Sequence, residues 1–207
     1  VLYIEGSPNK AYSTSIEVCR AFLDTYRSAH PDHVIEKFDA WGEGLPEFDE
    51  DALNAKYAGL SGTPLTPKQA AAWRRIEALA APFHAADKLL FGVPLWNFSI
   101  PYKLKQLIDL ISQKDVLFSF DSSGFAGLLR GKKAAVVYAR GLSYTSPGSL
   151  TPASEFDLQR PYMETWLKFV GIEDVVGIVV ERTLFGADGK VDRSRAIEEA
   201  RTVAREF

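Results

Sequence analysis

Three short stretches hold residue types suited to a small ligand with an anionic end and a flat end. The segment Gly6-Ser7-Pro8-Asn9-Lys10-Ala11-Tyr12-Ser13-Thr14-Ser15 offers the hydroxyls of Ser7, Ser13, Thr14 and Ser15 where a helix should begin. The first N–H groups of a helix lack partners within it and carry partial positive charge, so with these hydroxyls they suit a phosphate without help from an arginine. Ser13 and Thr14 equally suit a plain helix cap. In Pro94-Leu95-Trp96-Asn97-Phe98, Trp96 can cover a planar ring and Asn97 carries an amide donor and acceptor to match a heterocycle edge. Pro94 and Pro101 restrict that loop; a core tryptophan beside a turn asparagine is the plainer reading. In Ala139-Arg140-Gly141-Leu142-Ser143-Tyr144, Gly141 lets backbone amides approach a ligand closely, or serves as an ordinary turn glycine.

The elements that must position these stretches alternate along the chain. Apolar runs at residues 1–5, 34–38, 88–93, 133–138 and 175–180 read as buried strands, separated by segments of helical periodicity, the pattern of a parallel sheet covered on both faces. A first helix should start near Thr14, where Thr14 and Glu17 have capping-box spacing, and bury Ile16, Cys19, Phe22, Leu23 and Tyr26. Thr66-Pro67-Lys68-Gln69 marks another helix start, with a capping residue, proline at the first helical position and glutamine placed to close a box. Further helices are expected over residues 102–111, 156–170 and 192–207. Residues 39–64 read as a Gly/Pro-rich acidic excursion, too long for an ordinary connection and suited to a lid or a partner contact. Residues 117–128 read as a hairpin-like flap.

In an open α/β sheet, ligands settle outside the carboxyl ends of the strands where strand order reverses. The three stretches follow the first, third and fourth strands, so they should converge. A ligand with a phosphate at one end and a flat ring at the other would join them, and flavin mononucleotide (FMN) fits that description.

With 207 residues, 46% hydrophobic, 25% charged and a net charge of -3, the chain is expected to form one globular domain over residues 1–207. No large basic field favours nucleic acid, since Arg130-Gly131-Lys132-Lys133 is an isolated cluster. A single cysteine, Cys19, permits no intrachain disulfide and agrees with a reducing, cytoplasmic setting. No apolar run is long enough to span a membrane, and no secretory leader is expected before the first strand. His30, His33 and His84 lack metal-ligand spacing. Gly141-Leu142-Ser143-Tyr144-Thr145 nearly spells a nucleophile elbow with Ser143, but Thr145 replaces the second glycine and all three histidines precede the serine. Residues 127–133 fall one residue short of a phosphate-binding loop, and no Gly-x-Gly-x-x-Gly occurs.

Taken in order and spacing, these motifs resemble the FMN-dependent NADH azoreductase family of flavodoxin-like quinone reductases. The resemblance runs over nearly the whole chain. It rests on Ser7 with Ser13-Thr14-Ser15, Leu65-Thr66-Pro67-Lys68-Gln69, Pro94-Leu95-Trp96-Asn97-Phe98, Gly131-Lys132-Lys133-Ala134, Arg140-Gly141 and Phe169-Val170-Gly171-Ile172-Glu173-Asp174-Val175. It implies a flavodoxin-like fold, a five-stranded parallel sheet with helices on both faces, in a homodimer with FMN at the interface. The four hydroxyl residues would surround the phosphate, Pro94, Leu95, Trp96, Asn97 and Phe98 would line the ring, and Ala139, Arg140, Gly141 and Leu142 would meet its pyrimidine end. Three departures stand out: Leu95 and Trp96 replace the family's usual Met-Tyr, Leu142 replaces a glycine, and Phe120 replaces a flap tyrosine near the substrate. The implied activity is a two-electron, two-stage exchange in which NADH or NADPH is oxidised and a quinone or azo compound reduced, with no metal. A flavodoxin-type electron carrier is the alternative from another class, although such carriers tend to be smaller and strongly acidic.

Overall fold

In the computed structural model, which describes residues 1–207, strands β1 (Leu2–Glu5), β2 (Glu36–Asp39), β3 (Lys88–Pro94), β6 (Lys133–Ala139) and β7 (Asp174–Val180) form one parallel sheet in the order β2-β1-β3-β6-β7. The flavodoxin-like, five-stranded parallel sheet expected from the sequence is therefore present. Its central strands β3 and β6 are apolar on both sides because both faces are covered there, whereas the edge strand β2 buries only Phe38. On β6, Ala134, Val136 and Tyr138 point to one core, while Ala135, Val137 and Ala139 point to the other. The first core is closed by α3 (Pro67–Ala85), α4 (Tyr102–Ile111) and α6 (Gln159–Phe169), the second by α1 (Thr14–Ala29) and α7 (Gly186–Glu206).

The box at Thr66 forms as read: Thr66 Oγ1 accepts from the Gln69 amide and Gln69 Oε1 accepts from the Thr66 amide, with Pro67 opening the helix. The five apolar residues expected to anchor α1 are all buried. No box forms at Thr14, however. Ser13 is the N-cap and Thr14 already lies within the helix, so the Thr14–Glu17 spacing starts one residue too late.

Four other boundaries differ. The second strand begins at Glu36 rather than residue 34, where His33 and Val34 are still turning into the sheet edge. The 39–64 excursion contains α2 (Glu50–Ser61), capped by Asp49 Oδ1 accepting from the Ala52 amide and ended by Gly62 at φ +69°. Only Ala52 and Ala55 of α2 are buried, so it lacks the apolar stripe on which sequence recognition of a helix depends. The helix expected over 156–170 is split into α5 (Ala153–Phe156) and α6, because Asp157 turns its carboxylate onto the amides of Gln159 and Arg160. The last helix starts at Gly186 instead of residue 192. Gly189 is what permits this, since a Cβ there would lie 2.4 Å from the carbonyl oxygen of Arg182.

The flap is a separate antiparallel hairpin, β4 (Phe118–Asp121) and β5 (Gly124–Gly127). It sits on the end of α6, where the Leu129 amide donates to Val170 O and a Cβ on Gly127 would strike the Val170 backbone at 2.1 Å. No helix is long and apolar enough to cross a membrane.

Candidate functional site

The parallel register brings the three loops together. Glu5 pairs with Gly92 and Pro94 with Ala139, so β1, β3 and β6 end side by side. The loops are then stitched to one another, with Gly6 N donating to Gly92 O at 3.0 Å and Leu95 N donating to Ala139 O at 2.8 Å. A Cβ on Gly6 would lie 2.7 Å from that Gly92 oxygen, so only glycine lets the loop leave β1 so close to β3.

In the first loop Ser7, Thr14 and Ser15 are buried, and Ser13 Oγ lies 3.0 Å from Ser15 Oγ. The first intrahelical bond of α1 runs from Glu17 N to Ser13 O, which leaves the amides of Thr14, Ser15 and Ile16 facing outward with no acceptor in the chain. The loop is held from behind by Lys10, whose ammonium touches Ser7 O at 2.9 Å, Asp39 at 2.7 Å and Glu5 at 2.5 Å. Burial alone would lower the Lys10 pKa, but the Asp39 and Glu5 pairs outweigh it and raise it. The Asp39 carboxyl is pulled below its ordinary value: burial opposes this, and Lys10 with the Trp41 amide prevails. Beneath the loop, burial pushes up both the Tyr3 phenol and the Cys19 thiol, so neither is ionised near neutrality and Cys19 offers no thiolate.

The second loop is a tight two-residue turn. Trp96 and Ser99 exchange both backbone hydrogen bonds, at 2.9 and 3.0 Å, with Asn97 at φ +45° and Phe98 at φ +74° between them. Asparagine tolerates this left-handed region, but a phenylalanine there is strained by about 1–3 kcal/mol, a feature that clusters at binding sites. The turn lifts Phe98 to 47% exposure and leaves Trp96 36% exposed, so both rings keep an open face. The Asn97 side-chain amide is exposed and bonds nothing else in the chain. Trp96 is backed by Trp41, 5.7 Å away between centroids, and Trp41 in turn packs edge-on against Tyr102 and donates from Nε1 to Gly6 O at 3.0 Å. Trp41 thus ties the hydroxyl loop to the ring loop, a role its position in the excursion does not announce.

In the third loop Arg140, Gly141 and Leu142 lend their carbonyls to Thr183, Leu184 and Arg182, while the amides of Gly141 and Leu142 have no acceptor in the chain. Ala139 is buried in the strand end. The Arg140 guanidinium points inward, away from any ligand. It pairs with Asp157 and Glu181, at 3.3 Å for the latter, and donates to Gln159 Oε1 at 3.2 Å. Gln159 donates on to Val93 O at 2.8 Å, and Glu181 accepts from Thr145 and Ser143. This buried cluster joins the end of β3, the third loop and the start of α6. Ser143 meets Ser146 and Glu181 but no imidazole, which removes the base a serine hydrolase requires.

Phe120 is not brought to the loops. Its hairpin follows α4, which starts at the ring loop and runs about 15 Å away from it at 1.5 Å per residue. There Phe120 packs at a tilt against Phe125, 4.5 Å between ring centroids, and, with Leu60, Leu65 and Trp73, lines an apolar cleft of about 300 Å³. No group of histidine, cysteine and acidic side chains could hold a metal ion.

Against known proteins, the model of the flavodoxin-like fold family matches residues 1–206. The chain is 79% identical over 207 residues to FMN-dependent NADH:quinone oxidoreductase 9 of Burkholderia lata, covering all of this chain and 99% of that one. It is 46% identical over 209 residues to FMN-dependent NADH:quinone oxidoreductase 3 of Pseudomonas fluorescens, covering all of this chain and 96% of the relative. Among solved structures, azoreductase from Bacillus anthracis superposes with a TM-score of 0.90 at 30% identity over 100% of this chain and 98% of that one. An FMN-dependent NADH-azoreductase from the same species, solved in complex with FMN, gives 0.86 at 27% identity over 99% and 97%.

Proposed function

Because the chain belongs to the flavodoxin-like fold family, and within it to the FMN-dependent NADH:quinone oxidoreductases and azoreductases, we propose that it holds FMN across its three converging loops and reduces quinones and azo compounds with NADH or NADPH. One observation carries this reading: three orphan amides and buried hydroxyls stand at the mouth of β1, and an open-faced aromatic turn stands at the mouth of its neighbour β3. The donor set fits the cofactor. Ser7, Ser13, Thr14 and Ser15 would take the phosphate with the first amides of α1, Asn97 would bond the ring edge, and Leu95, Trp96 and Phe98 would hold its plane. The amides of Gly141 and Leu142 would stabilise negative charge at the pyrimidine end.

The chemistry that FMN supplies when bound is two-electron transfer from a nicotinamide to an acceptor. The chain leaves one face beside Trp96 and Phe98 open, so the nicotinamide nucleotide and the acceptor would use it in turn, a ping-pong order. We place Phe120 at the acceptor side of a second copy's site, since its own loops lie beyond its reach, and we read the exposed Tyr57, Leu60, Phe120 and Phe125 as homodimer contacts. The whole of residues 1–207 would act as one FMN-binding domain in the cytoplasm, where NADH and a free buried cysteine are both at home.

The test is spectroscopic. The purified protein should show the bands of oxidised flavin, bleach without oxygen on adding NADH or NADPH, and regain colour with a quinone. A colourless protein that takes up no added FMN overturns the assignment.

A further inference from the structure

One cation reaches the first turn of α1 from outside its own loop. Arg193 lies on α7, 179 residues from Thr14, yet its Nη2 donates to Thr14 Oγ1 at 3.4 Å and its Nη1 stands 3.4 Å from Glu17 Oε2. Its Nε is buried with no acceptor. We infer that Arg193 is a positioning residue for the phosphate end of the cofactor, acting through Thr14 and Glu17; this rests on the FMN reading above.

Two physical effects support the assignment. A hydroxyl has one hydrogen and two lone pairs. With Arg193 donating to the Thr14 oxygen, the Thr14 hydrogen is left to turn outward, which makes the hydroxyl a donor toward an anion. The second effect is electrostatic. Glu17 in the first turn suits the helix dipole, but it opposes a phosphate dianion bound at the same terminus. Arg193 offsets that charge and draws Glu17 toward α7. The other nearby cations are engaged elsewhere, Lys10 with Glu5 and Asp39, and Arg20 with the carbonyl of Lys10.

Arg193 is also held in place. Its neighbour Asp192 takes a two-pronged grip from Arg182, at 2.7 and 2.8 Å, which fixes the start of α7. Further along, Ala196, Ala200 and Ala204 are buried and let α7 lie close against α1.

The test compares FMN with riboflavin, which has the same ring and no phosphate. Dissociation constants are read from quenching of flavin fluorescence on the FMN-stripped protein. In Arg193→Gln the Kd for FMN should rise about tenfold while that for riboflavin stays unchanged. The dependence of FMN binding on salt, from about 0.05 to about 0.5 M, should weaken. Arg193→Lys should fall between the two. Adding Glu17→Gln to Arg193→Gln should restore part of the loss, because the opposing charge is then gone. Should Arg193→Gln fail to fold, Arg193→Met supplies the same comparison and should weaken FMN binding while leaving riboflavin unchanged. Equal weakening of both flavins, or no change in either, would reduce Arg193 to a clamp between α1 and α7 and overturn the inference. A wild-type protein that binds neither flavin would instead overturn the cofactor assignment, and this inference with it.

Discussion

Replacing Arg140 with methionine should destabilise the protein by about 3–5 kcal/mol, the range for removing one partner from a buried ion pair. The guanidinium carries one positive charge against the two carboxylates of Asp157 and Glu181, and the three side chains are only 2%, 8% and 6% exposed. At the 3.3 Å separation from Glu181, attraction in an effective dielectric of about 20 amounts to about 5 kcal/mol, part of which is offset by the hydration Arg140 gave up on folding. Methionine fills much of the volume but leaves two buried negative charges and Gln159 Oε1 without their donor. Against a total stability of about 5–15 kcal/mol, the variant should fold at 25 °C yet unfold at clearly lower urea. Neutralising the carboxylates in the same background, with Asp157→Asn and Glu181→Gln, should return more than half of the loss. Urea titration followed by circular dichroism measures both. A loss below about 1 kcal/mol, or no recovery in the triple variant, would show that the cluster is not the electrostatic anchor of the third loop.

Three further outcomes are expected. Asn97→Gly keeps the left-handed turn and removes only the side-chain amide, so stability should hold within about 1 kcal/mol while FMN retention on gel filtration falls. Two glycines should separate by neighbour: Gly6→Ala meets the Gly92 backbone at 2.7 Å and should cost about 1–3 kcal/mol, whereas Gly141→Ala meets only the exposed Leu184 side chain and should weaken FMN binding with little change in melting temperature. Asp192 is held below the ordinary carboxylate value, first by its bonds from Arg182 against an opposing burial effect. A depressed folded pKa contributes stability above the unfolded value near 3.9 and loses it as pH falls through the folded one, so Asp192→Asn should be less stable than wild type at pH 7, and the gap should narrow progressively as acid unfolding is followed below about pH 4. A gap that stays constant over that range would exclude the carboxylate as its source.

Much of the fold was legible because its signals are local. The Thr66-Pro67-Gln69 start needs only residues three apart, and it formed as read. Alternating apolar strands and amphipathic helices gave the sheet, and the switch-point rule placed the loops after its first, third and fourth parallel strands at one edge. The helix over residues 50–61 escaped because it buries only two alanines, although Asp49 and Gly62 were cap signals in plain view. Pro161, which lacks an N–H, likewise argued for a helix beginning just before it rather than one running through from 156.

Sequence by itself determined which segments become strands and helices and which loops carry hydroxyls, aromatic rings and amides, since backbone preference and apolar periodicity act over a few residues. Tertiary structure alone decided where three side chains went: Arg140 inward to Asp157 and Glu181, Arg193 across to Thr14, and Phe120 away from its own loops. The partner of an ionic or hydroxyl group is chosen by distance in space, and the helices that set those distances are placed by the packing of the whole sheet.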